Sequence, residues 1–500
     1  MTLMHKILEC DVLVVGGGVN GAGIARDAAG RGLSVLLVEQ DDLAGHTSSA
    51  STKLIHGGLR YLEYGEFRLV REALAERERL WRMAPHIIWP LRFVLPQTHS
   101  PRPAWVVRAG LFLYDHLGGR ERLPATETIA LDRSAKGAGL KERHGRAFVY
   151  SDCWVEDSRL VVLNARDAAD RGADIRTRTR LVAARREAAG WTATLEDRAG
   201  VQQVRARALV NAAGPWVTDV LGRVGGAPGD RSVRLIKGSH LVVPRLYAGE
   251  HAFMLQNPDR RIVFAIPYEG RFTLLGTTDR PWTGAPGRAA ISEAETDYLL
   301  ETANRYFTRQ VSRADIAWSY AGIRPLYDDK AGSASAVTRD YVLDLDAPDG
   351  HGPVLSLYGG KITTYRKLAE HALGELARFF PMAGGAWTGG APLPGGDMPG
   401  AGFEAFVVDL AARFPWLPTA LLRRLARGYG TRVPHILGDA SSLADLGEDF
   451  GGGLTRAEVD YLMAQEWART GEDVLYRRTK LGLHVPPGTA ARVQAYLDRA

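Results

Sequence analysis

A chain of 500 residues, 45% hydrophobic and 24% charged, is expected to hold two or three domains around a substantial core. Cys10 and Cys153 are its only cysteines and lie far apart, which excludes a disulfide framework or a cysteine metal site and fits a reducing compartment. The opening MTLMHKILEC has no apolar signal core, and no run of 18 uncharged apolar residues occurs, so neither a cleaved leader nor a transmembrane helix is expected. A net charge of +6 permits an anionic membrane, an anionic substrate or nucleic acid as partner without choosing among them.

In chain order, Val12 to Val15 form a short apolar run of the kind found in a strand buried on both faces. Gly16, Gly18 and Gly21 then spell G-x-G-x-x-G, Ala22 to Arg31 read as a helix, Gly32 ends it, and Ser34 to Val38 make a second buried strand closed by Glu39. Each glycine has a use: the first makes the tight turn, the second lets a pyrophosphate reach the backbone, and the third lets helix and strand pack closely. The helix N-terminus offers unpaired N–H groups to phosphate, and Glu39 stands where a ribose-binding carboxylate belongs. The pattern predicts a dinucleotide site and does not separate FAD from NAD.

A loop of small and hydroxyl residues follows, from His46 through Ser51 and Thr52, and then Lys53-Leu54-Ile55-His56-Gly57-Gly58-Leu59-Arg60-Tyr61-Leu62. Such a loop lies close to a flat or charged ligand, and Lys53, His56 and Arg60 add charge. A helix is predicted over 66–83, with Phe67, Val70, Leu74 and Trp81 on its core face. Residues 86–117 interleave Trp89, Phe93, Trp105, Phe112 and Tyr114 with prolines and with Arg92, Arg102 and Arg108. This suits either a lipid headgroup boundary or an internal strand and helix with a Pro-rich connection.

Residues 152–171 read as a helix with Leu160, Val161, Ala168 and Ala169 inward, and 175–197 as strands joined by turns. Ala208 to Trp216 is a buried strand returning to the dinucleotide sheet. Strands dominate 233–276, with Lys237-Gly238-Ser239-His240 in one and a hairpin around Glu269-Gly270. Ser292 and Glu295 form a capping box for a helix to about Phe307. Residues 316–326 end at Gly322-Ile323-Arg324-Pro325, before Arg339-Asp340-Tyr341. A strand over 354–357 breaks at Gly359-Gly360 into Lys361-Ile362-Thr363-Thr364 and a helix, a second turn suited to aiming N–H donors at a ligand. Residues 383–402 are rich in Gly and Pro and read as a linker. The remainder is mostly helical, with a capping box at Thr455 and Glu458, and holds no chemical motif.

Zinc, P-loop and nucleophile-elbow signatures are absent from the sequence, and no metal site is expected. Arg60, Lys237, His240, Arg324, Arg339 and Lys361 sit beside Gly, Pro or hydroxyl punctuation, as residues converging on an anionic ligand would.

The blocks GGGVNGAGIARDAAGRGLSVLLVEQ, TSSASTKLIHGGLRYLEYGEFRLVREAL, NAAGPW, KGSHLVVP, GIRPL, TRDY and YGGKITTYRKLAE, with RGYGTRVP and EDVLYRRTKLGL near the end, resemble the FAD-dependent, aerobic respiratory glycerol-3-phosphate dehydrogenases in order and over nearly the whole chain. Gly45-His46 departs from that pattern, where a smaller or more apolar residue is expected.

The resemblance implies an α/β fold. A Rossmann-like FAD-binding domain (1–385) would be interleaved with a β-sheet-rich substrate domain (mainly about 86–150 and 220–345), as in glucose-oxidoreductase and amine-oxidase flavoproteins. A linker (386–402) and an all-α domain (403–500) would follow. It implies FAD held by Gly16, Gly18, Asn20, Gly21, Glu39, Gln40, Thr47, Ser48, Ser49, Lys53, His56, Gly57, Gly58, Ala213, Gly214, Gly360, Lys361, Ile362 and Thr363. It implies oxidation of glycerol 3-phosphate to dihydroxyacetone phosphate, with electrons passed to a ubiquinone-type acceptor. The enzyme would be cytoplasmic and peripheral on the inner membrane.

His240 is the candidate base, because imidazole titrates near neutrality. Arg324 would polarise the developing alkoxide or anchor the phosphate, and Arg60, Tyr61, Arg339 and Lys361 would bind substrate, with Arg60, Arg339 and Lys361 as the phosphate clamp. The same motifs would serve a glycerol-3-phosphate oxidase using oxygen, or a flavin amine or 2-hydroxy-acid oxidase. A flavin-bearing RNA-binding protein ranks far behind, for want of a dense basic run or an RNA-reading aromatic motif. A homodimer is compatible with the sequence but not set by it.

Overall fold

The computed structural model describes residues 7–225, 231–328 and 340–499. Strand β1 (Leu8–Val15), helix α1 (Val19–Gly30) and strand β2 (Val35–Val38) form the expected β-α-β unit. β1 pairs in parallel with β2 on one side and with the Gly200–Asn211 strand on the other, which pairs in turn with Val354–Tyr358. Val12, Val14, Val35 and Leu37 face a layer built from α1, α4 (Asp157–Asp170) and the Tyr365–Leu376 helix. Leu13, Val15, Leu36 and Val38 face Trp191, Val217 and Val220. Covering both faces is what makes these strands uniformly apolar rather than alternating.

α1 begins at Val19, not at Ala22, because Gly18 is already an extended N-cap and the three residues inside the glycine motif are helical. That start brings the helix N-terminus to the strand end, where it is needed.

A second, ten-stranded sheet draws its strands from distant segments: 54–55, 88–96, 127–130, 146–155, 233–281 and 318–327. Its longest pair, Val233–Pro244 with Trp318–Tyr327, lies towards one end of the sheet and is antiparallel, with His240 opposite Tyr320 and Ile236 opposite Arg324. Residues 152–155 belong to this sheet instead of opening the predicted helix. Cys153, Trp154 and Val155 pair with Pro90, Trp89 and Ile88, and α4 starts only at Asp157.

Of the face expected to be buried on α2 (Phe67–Met83), Val70 and Leu74 are buried and Trp81 is half-buried, but Phe67 is exposed at the first turn. The 86–117 segment resolves into the Ile88–Pro96 strand and α3 (Ala104–Leu117). Phe93 and Val94 are in the core, yet α3 buries only Leu111 and Tyr114 and leaves Trp105 (75%), Phe112 (54%) and Leu113 (41%) open.

Residues 383–402 lie packed against the first sheet's helices. Trp387 Nε1 donates to Asp27 O at 3.1 Å, Arg26 Nη2 donates to the carbonyls of Ala391 and Pro392 at 3.2 Å, and Leu393 N donates to Met83 O. From Met398 onward the helices share a separate apolar cluster. They grip the cofactor side through charge: Arg477 and Arg478 bind Asp42 at 2.7 and 2.8 Å, and Arg159 of α4 binds Glu466 and Gly428 O. Among the described residues no helix is long and apolar enough to cross a membrane. Both cysteines are free.

Candidate active site

The carboxyl end of β1 opens into a cleft walled by the first sheet on one side and the second sheet on the other. Gly16 turns at φ +114°, and a Cβ there would lie 2.5 Å from Ala212 O. A Cβ on Gly21 would lie 1.9 Å from Gly16 O, so helix and strand meet backbone to backbone. Gly18, at the N-cap, has no side chain to cap α1, and Ser48 Oγ accepts the Val19 N–H at 3.0 Å in its place. Asn20 lines the cleft, donates to Gly359 O at 3.3 Å, and has a buried Oδ1 with no partner among the described residues. Glu39 is held with one oxygen on Gly17 N (2.7 Å) and the other on Asp41 N (2.8 Å). This is a glycine cradle beside a helix N-terminus and a fixed carboxylate, which suits a dinucleotide.

Of the residues expected to hold the cofactor, Gly16, Gly18, Asn20, Glu39, Gln40, Thr47, Ser48, His56, Ala213, Gly214, Gly360, Lys361, Ile362 and Thr363 line this cleft. Gly21 supports it from beneath. Thr47 ties its loop to the second sheet by donating to Ile323 O at 2.6 Å.

Four expectations do not place a residue in the cleft. Lys53 is fully buried behind the loop, at φ +60°, with Nζ 2.9 Å from both oxygens of Asp157 and 3.1 Å from Ser49 O. Its charge needed a partner more than a ligand, since an unpaired buried ammonium is costly. Ser49 turns back to His46 O, and Gly57 donates its N–H to Tyr114 OH at 2.7 Å. Gly58 serves the turn at φ +75°, against the Tyr61 ring.

Among the proposed substrate residues, Tyr61 and Lys361 meet in the cleft, with Lys361 Nζ 4.0 Å from the ring centre. Arg60, on the Leu59–Tyr64 turn, is half-buried outside the lining. Arg339 falls outside the described residues. Lys237 turns away to Glu295 (2.7 Å) and Ala290 O (3.0 Å).

His240 and Arg324 come from two paired antiparallel strands of the second sheet, and both line the cleft. Arg324 Nη2 donates to Thr278 O at 2.8 Å and to Asp279 Oδ1 at 2.5 Å, which fixes the guanidinium. His240 Nε2 lies 3.0 Å from Thr52 Oγ1, and its ring stacks on Tyr320 at 4.7 Å. Burial, reinforced by the positive charges of Lys53 and Arg324, holds this imidazole well below its usual range. The neutral ring, which has a lone pair to receive a proton, is therefore the favoured form.

A family model described as FAD dependent oxidoreductase matches residues 11–366. The chain belongs to the FAD-dependent oxidoreductases. A second model, the C-terminal domain of alpha-glycerophosphate oxidase, matches residues 386–497. A glycerol-3-phosphate dehydrogenase of Pseudomonas aeruginosa is 58% identical over 489 residues, covering 98% of this chain and 95% of that one. A D-erythritol 1-phosphate dehydrogenase of Brucella abortus is 53% identical over 493 residues, 98% of each. The solved glycerol-3-phosphate dehydrogenase from Bacillus halodurans, complexed with FAD, superposes with a TM-score of 0.75 at 27% identity, over 98% of this chain and 94% of that one.

FAD is accordingly the cofactor of this oxidoreductase, and the glycine cradle, the unpartnered Asn20 Oδ1 and the α1 N-terminus suit it. Two cleft residues of the oxidoreductase escape a site drawn from sequence. Thr52 is one hydroxyl among several in its loop. His46, the departure from the family pattern, bonds Asp41 at 2.7 Å and meets Trp216 edge-on at 4.6 Å. Glu39, Asp41 and His46 cluster at the edge of this cleft, where Glu39 accepts from the backbone N–H groups of Gly17 and Asp41, and Asp41 pairs with His46 Nε2.

Proposed function

We propose that this FAD-dependent oxidoreductase oxidises sn-glycerol 3-phosphate to dihydroxyacetone phosphate. The observation that carries the reading is that His240, the fixed Arg324 and Lys361 line the same cleft as the dinucleotide cradle. FAD, when bound, accepts the hydride released from the substrate C2. His240 takes up the proton of the C2 hydroxyl. Arg324 faces the oxygen on which negative charge grows, where a fixed donor contributes most. Lys361 and Tyr61 receive the phosphate, with Arg60 and Arg339 as further cations for that clamp. The names of the 58% and 53% identical relatives support a phosphorylated polyol as substrate, and the second favours D-erythritol 1-phosphate as the alternative. Comparing the two compounds as reductants of the bound flavin separates these readings.

Arg324→Ala is expected to lower turnover of glycerol 3-phosphate by about 10²–10³-fold, the usual cost of removing one donor to a developing oxyanion. The yellow flavin should remain, because the cradle lies on the first sheet. Normal kinetics in a flavin-loaded variant would remove Arg324 from the site.

Electrons are assigned to a membrane quinone, with oxygen as the competing acceptor. Reduction of a quinone analogue measured against peroxide release discriminates between them. The exposed face of α3, bearing Trp105, Phe112 and Leu113 with Arg108 alongside, supports peripheral docking on an anionic membrane. Trp105→Ser combined with Phe112→Ser should abolish cosedimentation with anionic vesicles and leave flavin reduction by soluble substrate intact. Unchanged cosedimentation would move the membrane contact elsewhere.

A further inference from the structure

We propose that Thr52 is a catalytic residue, its hydroxyl relaying the substrate's C2 hydroxyl proton to Nε2 of His240. The proposal rests on the reading of the substrate as a phosphorylated polyol.

His240 is poorly placed to meet a substrate directly. The residue is 2% exposed. One face of its ring is stacked on Tyr320, with an interplanar angle of 15°. The Cδ2–Nε2 edge lies against Gly276, where a Cβ would sit 2.0 Å from Cδ2 and 2.7 Å from Nε2. Nδ1 is shut from solvent and has no hydrogen-bond partner among the described residues. The polar group that does reach the ring is Thr52 Oγ1, at 3.0 Å from Nε2. Thr52 is half-buried and lines the cleft. A hydroxyl has one proton to give and two lone pairs to receive one, so Thr52 can accept from the substrate while donating to Nε2. The relay uses the tautomer that carries its proton on Nδ1.

The protein fixes this hydroxyl from both sides. On one side Ser51 Oγ donates to Asp157 Oδ2 at 2.8 Å, and Ser51 O accepts the Tyr320 hydroxyl at 2.8 Å. On the other, Lys53 is held in the left-handed region by its buried pair with Asp157. A non-glycine residue persists there only where its surroundings enforce it. Lys480, from the C-terminal helical region, lies 3.5 Å from the same carboxylate. Asp157, Lys53 and Lys480 are positioning residues, and they place Thr52 between the cleft and His240.

In the step, the O–H bond at C2 breaks and its proton passes to Thr52 Oγ1 as the threonine proton passes to Nε2. The C–H pair at C2 leaves as hydride for FAD, and the oxygen electrons close the carbonyl. The substrate loses two electrons and two hydrogens, FAD gains the hydride, and His240 gains the proton. The negative charge of the substrate phosphate offsets the imidazolium that forms beside Lys53 and Arg324.

The test is anaerobic single-turnover reduction of the holoenzyme flavin by glycerol 3-phosphate, in wild type, Thr52→Val and Thr52→Ser, each checked for flavin content. Thr52→Val should slow reduction by about 10²-fold or more, within the range of general acid–base catalysis. Substrate affinity should change little, and Thr52→Ser should recover to within about tenfold of wild type. The valine variant should also speed up as pH rises, as solvent base replaces the relay. Near-normal reduction in Thr52→Val, or a serine variant as slow as the valine one, would overturn the relay. A wild-type flavin that glycerol 3-phosphate does not bleach would instead overturn the functional reading.

Discussion

Gly21→Ala is expected to give a flavin-depleted protein of reduced activity that is otherwise folded. The added Cβ would lie 1.9 Å from Gly16 O, a backbone atom of the preceding turn, with Ala212 Cβ 3.3 Å away. No rotamer relieves a Cβ clash, so α1 must move off β1. That movement carries the helix N-terminus and Gly17, whose N–H holds Glu39, out of register with each other. Overpacking of this kind costs about 1–3 kcal/mol, and each 1.4 kcal/mol is about tenfold in affinity, so strain released when α1 moves should weaken flavin binding by about 5-fold to about 10²-fold. The second sheet and the C-terminal cluster have their own cores, so circular dichroism should stay close to that of wild type. The check is the ratio of flavin to protein after gel filtration. Full occupancy in Gly21→Ala would mean that the cradle does not hold the cofactor.

His240→Ala is expected to cut the rate of flavin reduction by about 10²–10⁴-fold while substrate affinity changes little. The imidazole is where the substrate proton ends up, and alanine leaves Thr52 Oγ1 without its partner. The pH dependence follows from the direction of the shift. Because burial, Lys53 and Arg324 lower the His240 pKa, the group stays neutral as pH falls through about 6.5, where an unperturbed histidine is half charged. The acid limb of kcat/KM, which reports groups of the free enzyme, should therefore lie below that value. An inflection near 6.5 that disappears in His240→Ala would contradict the lowered pKa. Unchanged single-turnover bleaching in the variant would remove His240 as the base.

Much of the first sheet is legible in the sequence because its signals are local. A buried strand, three glycines, a helix and Glu39 follow one another in a short span, and each has its own physical reason to be there. Even so, the pattern puts the start of α1 at Ala22 rather than Val19, since Val19, Asn20 and Gly21 read as turn when judged by composition. The second sheet is only partly legible, because pairing partners lie far apart. Nothing near 152–155 announces that Trp154 will face Trp89.

The same distance effect explains Lys53. Beside a hydroxyl loop a lysine reads as a ligand contact, and its true partner, Asp157, is 104 residues on. Lys237 is a parallel case, paired with Glu295. Arg324 and His240 are legible as candidates because each lies close to a glycine on its strand, but their fixing partners, Asp279 and Thr52, are not. Phe67 shows the converse: it fits the apolar stripe of α2, yet it lies at the exposed first turn, where no element covers it.

The most direct test of the proposed reaction is anaerobic mixing of the flavin-loaded enzyme with sn-glycerol 3-phosphate while the visible flavin band is followed. Rapid, stoichiometric bleaching is expected, with dihydroxyacetone phosphate formed in equal amount. A flavin that stays oxidised with glycerol 3-phosphate would contradict it.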